Sequence, residues 1–386
     1  MKLFQNADVY APSHLGKKDI LVEGGRIARI DDAITDYDSA PDVERFDLGG
    51  KRLVPGYIDL HVHVTGGGGE QGPASRTPEA SISTLLDCGV TTVVGLLGTD
   101  GISRSLENLL AKTRALTEEG LTCYMLTGSY GWPTTTLTGS VERDMVLIPE
   151  IIGAKIAVSD HRSSNPQGED LIALATAVRR AGLLAPCCGL LTMHMGSGKG
   201  RLDPVFYALD HSDVPAKTFL PTHMNFRGRE LMDDGIRLVK MGGTMDFTAG
   251  GTMEENVTLA GHIRYCLEQG MPLSGLTVSS DGYGSQPRFN EKGECVGLTY
   301  STPRGLHQLI QALVCQEVLP LEDALTLVTA NPAGVLDKSG VKGSVVPGAD
   351  ADFVIYGQDF SVESVVAKGE RAVWEGRHLI RGRFEA

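Results

Sequence analysis

A (β/α)8 TIM-like barrel, carried beside a small β domain built from both termini, is the fold the sequence predicts. Three observations lead there. The middle of the chain alternates apolar runs of strand length with amphipathic stretches of helix length. Eight such runs can be counted, the number an α/β barrel needs. The two ends carry short β-prone runs punctuated by glycine instead.

In chain order, residues 1–53 offer Asp19 to Val22, Arg26 to Ile30 and Arg52 to Val54, with Gly24-Gly25 and Gly49-Gly50 between them. That is too little for a domain alone. The other end repeats the texture in Gly343 to Val346, Phe353 to Tyr356, Ser364 to Ala367 and Arg371 to Trp374, with turns at Gly348 and Gly369. Residues 1–53 and 342–386 are therefore expected to form one β domain, and 54–341 the barrel. The first barrel strand is Val54 to His63. It is followed by Thr91 to Leu97, Thr122 to Thr127, Ile151 to Ser159, Leu191 to Met195, Thr218 to Thr222, Thr244 to Thr248 and Leu276 to Ser280. Helical patterns lie between most of them, at Pro78 to Cys88, Arg104 to Glu119, Leu171 to Ala181, Arg229 to Lys240 and Glu254 to Gln269. Thr302 to Val318 is the closing helix, and Leu321 to Leu336 a further helix leading back to the β domain.

Composition bounds the function. In 386 residues, 41% hydrophobic and 22% charged, there is ample material for a full core. A net charge of −13 argues against nucleic acid or an anionic membrane as partner. Seven scattered cysteines without a Cys-x-x-Cys pair favour a reducing compartment. The N-terminal MKLFQNADVYAPS lacks a signal-peptide apolar run, and no membrane-length apolar window exists, so a cytoplasmic protein is expected.

Barrel chemistry gathers at the C-terminal ends of the strands. Strand 1 ends in His61 and His63, which share one face because strand side chains alternate. Gly66 to Gly69 and Glu70 follow. Strand 4 holds Lys155, strand 5 His194; strand 6 leads into His223 and strand 8 into Asp281. Singly, His194 reads as a core histidine, Asp281 before Gly282 as a turn residue, and Lys155 as a side chain that snorkels to water. Together, near the same end of five strands, they read as a metal centre. A lysine in so apolar a strand loses proton affinity, and a neutral amine reacts with carbon dioxide to give a carbamate with two ligand oxygens.

These residues, with the stretches HVHVTGGGGEQGP, SRTPEA, VVGLLGTDGISR, LLAKTRALTEEG, LTGSYGWP, SDHRSS, HMGSGKG, PTHMN and SSDGYGSQP, resemble the amidohydrolase superfamily and, within it, the bacterial isoaspartyl (β-aspartyl) dipeptidases, over nearly the whole chain. The resemblance implies hydrolysis of β-aspartyl dipeptides at two Zn2+ ions. His61, His63 and Asp281 would hold one ion and His194 and His223 the other, with carboxylated Lys155 and a hydroxide bridging them. It implies that Asp281 shuttles the proton and Tyr130 polarises the amide carbonyl. Glu70 would hold the α-ammonium, Arg162 and Ser285 would contact carboxylates, and Gly68, Gly69 and Thr99 would line the pocket. It also implies a homo-oligomer, an octamer, with a small dipeptide as its partner.

One position departs. The family carries an arginine three residues after the strand-6 histidine, where this chain has Phe226. Either Arg227 takes that role or the second carboxylate is read differently. The alternative activity is that of a cyclic amide hydrolase of the same superfamily, of dihydroorotase or hydantoinase type. A non-catalytic scaffold of this fold would be expected to have lost ligands, and all six ligand positions are filled.

Overall fold

The computed structural model describes residues 1–37, 40–289 and 295–385; the last residue of the expected β domain, 386, and residues 38–39 lie outside the described residues. Five strands open the chain: β1 (Lys2–Tyr10), β2 (His14–Glu23), β3 (Arg26–Asp31), β4 (Glu44–Asp47) and β5 (Arg52–Pro55). Strands and helices then alternate: β6 (Tyr57–Val62), α1 (Ile82–Asp87), β7 (Val90–Gly95), α2 (Leu106–Glu118), β8 (Thr122–Gly128), α3 (Val141–Leu147), β9 (Ile151–Val158) and α4 (Gly168–Leu184). The alternation continues through β10 (Leu190–Met195), α5 (Asp203–Asp210), β11 (Phe219–Thr222), α6 (Arg229–Lys240), β12 (Met245–Thr248), α7 (Met253–Glu268) and β13 (Leu276–Ser279). A hairpin, β14 (Ser285–Phe289) and β15 (Cys295–Tyr300), precedes α8 (Arg304–Cys315), α9 (Leu321–Thr326) and α10 (Ala330–Val335). β16 (Phe353–Tyr356), β17 (Val362–Ala367), β18 (Glu370–Trp374) and β19 (Arg377–His378) end the fold.

Both chain ends join in one mixed sheet, in the order β19-β18-β17-β16-β5-β1-β2-β3 with β4 alongside β1. The seam is the antiparallel pair β5–β16, where Val54 faces Val354. Phe4, Ile20, Leu53, Phe353 and Val366 fill the core of this sheet. β1 escapes an alternation reading because Gln5-Asn6 interrupts it. Asn6 sits at φ 56, and the register with β2 shifts between Phe4 and Ala7, as a bulge requires. Gly343 to Val346 is not a strand; Val345 is buried against the sheet without pairing to it.

β6 to β11 form a curled six-stranded parallel sheet in chain order, and β12–β13 a separate parallel pair. The eight expected strands are thus all present, but the first, expected from Val54 to His63, is split at Gly56: Val54 and Pro55 belong to β5 of the mixed sheet, and the barrel-type strand starts at Tyr57. The ladder of these strands is broken twice among the described residues. At the first break β11 contains Pro221, which has no N–H to give a neighbour. At the second, the N–H of Ile58 on β6 goes to Val328 O. Single backbone bonds cross the gaps, Met224 N to Asp246 O at 3.3 Å and His63 N to Gly282 O at 2.8 Å.

Two buried carboxylates complete the joins. Asp246 on β12 accepts from Thr222 Oγ1 (2.7 Å), Thr277 Oγ1 (2.7 Å) and Ser279 Oγ (2.5 Å), so it ties β11, β12 and β13 together. Asp59 on β6 accepts from Ser280 Oγ (2.5 Å) and Ser280 N (3.1 Å). Burial pushes the Asp246 carboxyl up to about 7 and that of Asp59 up to about 6, against the hydrogen bonds they receive.

Helix boundaries differ from the sequence pattern for local reasons. α1 starts at Ile82 and not at Pro78, because Ser81 caps it by accepting from Thr84 N. The stretch Leu321 to Leu336 is two helices: Thr329, at φ −132 and ψ −85, breaks the backbone between α9 and α10. The hairpin β14–β15, absent from the sequence reading, follows Asp281 directly and brings Ser285 and Gln286 to the cavity described below.

Replacing Asp246 with alanine strands three hydroxyl donors and is expected to cost about 3 kcal/mol of stability. The check is the denaturant midpoint of the variant; a loss below about 0.5 kcal/mol, the scatter of an ordinary surface change, would mean the carboxylate does not join the strands.

Candidate metal centre and substrate pocket

β6 is buried along its whole length and delivers His61 and, one residue past its end, His63 to one side. The turn that follows depends on glycine. A Cβ on Gly66, at φ +78, would lie 2.4 Å from Thr77 O, and one on Gly68, at φ +76, 2.3 Å from Ser75 O. Arg104 bridges Thr65 O and Thr77 O and so staples the loop closed.

His61 Nε2 and His63 Nε2 point at Asp281 Oδ1, at 3.5 and 3.2 Å. Among the described residues these three side chains form a group whose ligand atoms lie within 4.8 Å of one another. The donor set fits a divalent cation. Burial, seconded by Lys155, holds the His61 imidazole well below its usual range and so neutral. The Asp281 carboxyl is lowered: burial would raise it, and His223 and His63 outweigh that. Asp281 and His223 are non-glycine residues at φ 51 and φ 65, a costly backbone conformation gathered at the site.

Lys155, on β9, is completely buried, with Nζ 3.3 Å from His61 Nε2. Burial pushes its ammonium down to about 7, opposed by Asp281 and then Asp246. His223 and His194 stand beside this group, with ring centroids 4.9 Å (His61 to His223) and 4.6 Å (His194 to His223) apart. His223 spends Nδ1 on Thr248 Oγ1 at 2.7 Å, which leaves Nε2 as its ligand nitrogen. Both nitrogens of His194 are engaged, Nδ1 by Tyr130 OH at 2.6 Å and Nε2 by Asp160 Oδ2 at 3.1 Å and Arg162 Nη2 at 3.0 Å. Burial lowers His194 to about 3, so it too is neutral. Burial also raises Tyr130, which keeps its phenol protonated as a donor.

A cavity of about 560 Å3 opens above these residues. It is lined by Gly68, Glu70, Thr99, Tyr130, Arg162, Arg227 and Ser285 among others; Gly69 is not on its wall. Glu70 accepts from Thr99 Oγ1 at 3.1 Å and Ser285 Oγ at 3.2 Å, and lies 3.5 Å from Arg162 Nη1. Arg162 forks onto Asp160 with two bonds of 2.9 Å and lies over the Tyr130 ring. Sequence reasoning left Asp160 without a role. It is the residue that orients both His194 and Arg162, and its only sequence signal is its place two residues after a strand carrying Lys155. Burial would raise its carboxyl, but hydrogen bonds from His194 and Arg162 hold it far below the usual range. Thr248, Asp59 and Asp246 were likewise invisible. His161 is on the cavity wall with its side chain 83% exposed, Nδ1 3.6 Å from Asp160 Oδ1.

The α/β fold that carries this gathering of imidazoles, lysine and carboxylates has counterparts among hydrolases acting on amide bonds. A profile of the amidohydrolase family matches residues 299–374. The β-aspartyl dipeptidase of Fervidobacterium islandicum AW-1, solved in complex with a β-Asp-Leu dipeptide, is 40% identical and superposes with a TM-score of 0.90 over 98% of both chains. A D-hydantoinase shares the fold, with a TM-score of 0.67 at 17% identity over 99% of this chain and 97% of its own. A dihydroorotase of Listeria monocytogenes serotype 4a is 32% identical over 122 residues, which is 31% of this chain and 27% of that relative's length. The chain belongs to the amidohydrolase superfamily and, within it, to the β-aspartyl dipeptidase family.

His63→Asn removes a nitrogen from the tightest group. The variant is expected to hold less than half the wild-type metal per chain by elemental analysis after dialysis, with an unchanged far-ultraviolet dichroism spectrum.

Proposed function

We propose that the protein is a two-zinc dipeptidase that removes an N-terminal β-linked aspartyl residue from a small dipeptide. The observation that carries the reading is the single cavity in which Glu70 and Arg162 face each other beside His61, His63 and Asp281. A carboxylate for an ammonium and a guanidinium for a carboxylate suit the charged ends of such a substrate. About 560 Å3 also falls in the range of about 300 to 1,000 Å3 usual for small-molecule sites.

His61, His63 and Asp281 would hold one ion, His194 and His223 the other, with His194 exchanging its bond to Tyr130 for the metal. Lys155 would react through its neutral amine with carbon dioxide. The new N–C bond would give a carbamate with release of one proton, and the carbamate would offer oxygen ligands. The ions supply a nucleophile from water near neutral pH and a polarised carbonyl. Every other contribution comes from the chain. Tyr130 donates its phenol proton in a hydrogen bond to the carbonyl oxygen as negative charge grows there. Asp281 accepts the proton of the attacking water and passes it to the departing amine. Glu70 fixes the α-ammonium, with Thr99 and Ser285 holding its carboxylate in place, and Arg162 takes the α-carboxylate of the aspartyl residue. Arg227, next to the departing residue, reads the second carboxylate in place of the arginine missing at Phe226. Gly68 lets the backbone approach the substrate, and Gly69, behind the cavity wall, only shapes the turn.

The proposal extends to architecture. The six- and two-stranded sheets close into one (β/α)8 barrel, with 54–341 as the catalytic unit and 1–53 plus 342–386 as the β domain. Six cysteines are free thiols, which suits a cytoplasmic enzyme, and no helix among the described residues is long and apolar enough to cross a membrane. Several copies assemble as a homo-oligomer. A cyclic amide hydrolase is the second reading, favoured by the dihydroorotase match over part of the chain.

With zinc and bicarbonate supplied, β-aspartyl-leucine is expected to be cleaved and α-aspartyl-leucine spared, with a chelator abolishing turnover. Failure to cleave either by protein holding two metals per chain would sink the dipeptidase reading and direct the assay to dihydroorotate and hydantoins. Tyr130→Phe is expected to lower kcat by about 100-fold with metal content unchanged, the cost of one oxyanion donor; a change below about threefold would remove Tyr130 from that role.

A further inference from the structure

The loop after β11 holds two consecutive residues on the cavity wall, Phe226 and Arg227. Its backbone is fixed tightly. Phe226 N donates to His223 O at 3.1 Å, closing a turn. Asn225 then clamps that turn to β12, donating from Nδ2 to Thr248 O at 3.0 Å and accepting at Oδ1 from Thr248 N at 2.9 Å. Met224 anchors it in the core. The Phe226 side chain is therefore held three residues from His223 although it is 48% exposed and joins no core cluster among the described residues. A single exposed apolar residue on an open surface is ordinary. Inside a cavity beside the reacting centre, the same ring is contact area for a ligand.

The surrounding wall suits a side chain of some size. Gly250 and Gly251 line the same cavity and add no side chain to it. Gly250 is obliged to be glycine, since a Cβ there would meet Glu255 Cβ at 2.4 Å. Glu255 lines the cavity too, with its carboxylate occupied by bonds from Gly251 N (2.7 Å) and Thr252 N (3.1 Å). Arg227 is steadied by its Nε bond to Met195 O at 3.4 Å.

We infer that Phe226 is a specificity-determining residue: its ring packs on the side chain of the departing amino acid and makes the enzyme prefer bulky apolar residues over glycine at that position. Arg227 beside it takes the carboxylate, so adjacent loop residues read the two ends of the departing residue. This rests on the dipeptidase reading. Full burial of a leucine side chain is worth about 10- to 100-fold in binding, and a half-exposed ring covers one side of it, so about tenfold is the expected preference.

The test compares kcat/KM for β-aspartyl-leucine and β-aspartyl-glycine in the zinc-loaded full chain, as wild type, Phe226→Ser and Phe226→Leu. The wild-type ratio is expected near ten or above. Phe226→Ser is expected to bring it within about threefold of unity, mainly through KM for the leucine substrate, as loss of uniform binding does. Phe226→Leu is expected to keep most of the preference, which separates contact from a general disturbance of the loop. A ratio in Phe226→Ser equal to that of the wild type, or a wild-type ratio near one, overturns the inference while leaving the dipeptidase reading intact. No cleavage of either substrate by metal-loaded wild type overturns both.

Discussion

Two buried carboxylates hold the strand ends at the candidate site together. Asp59 on β6 and Asp246 on β12 lie at the two places where the ladder of parallel strands is broken. Asp246 gathers hydroxyls from β11 and β13, and Asp59 the hydroxyl and amide of Ser280, one residue past β13. The consequences reach the site through neighbours in sequence. Thr222, bound to Asp246, precedes His223; Ser280, bound to Asp59, precedes Asp281; Asp59 also accepts from the amide of His61. Burying a carboxylate is expensive unless its acceptors are satisfied, and here they are. Four-residue strands such as β11, β12 and β13 hold a defined geometry at their ends because of these bonds.

The electrostatics above that layer follow from burial. The imidazoles of His61, His194 and His223 are pushed to the neutral form, and Lys155 is pushed down to about 7. Neutral nitrogen donors with an ionised Asp281 make a set that waits for positive charge. His223 and Asp281 hold left-handed backbone conformations next to the strands that Asp246 and Asp59 secure. Strain of that kind persists only where the surroundings over-determine it.

The substrate side is organised by a chain of charges. Asp160 fixes Arg162, Arg162 faces Glu70, and Glu70 is held by Thr99 and Ser285 from opposite sides of the cavity. Preorganised groups of this kind lose little freedom when a ligand arrives. Tyr130 links the two halves, bonded to His194 and lying under Arg162. The loop with Phe226 and Arg227 forms another part of the wall of the same cavity.

The alternation of strands and helices, the His-x-His strand end, the lysine in an apolar strand and the later His194, His223 and Asp281 were all legible in the sequence. Periodicity is a local property, and residues at strand ends are indexed by it. Motif resemblance added Tyr130, Glu70 and Arg162 because those sit in long matching stretches. What stayed hidden depends on distant partners. β1 is masked by its bulge, and the hairpin β14–β15 lies next to a stretch with no strong alternation. Asp160, Thr248, Asp59 and Asp246 look like ordinary polar residues until their partners, 24 to 221 positions away for Thr222–Asp246 and Asp59–Ser280, are brought to them. The sequence by itself determined which strands exist and which side chains their ends present. Only the tertiary structure decided how those strands are joined, since hydrogen bonds across the gaps in the strand ladder are made between residues that have no pattern in common along the chain.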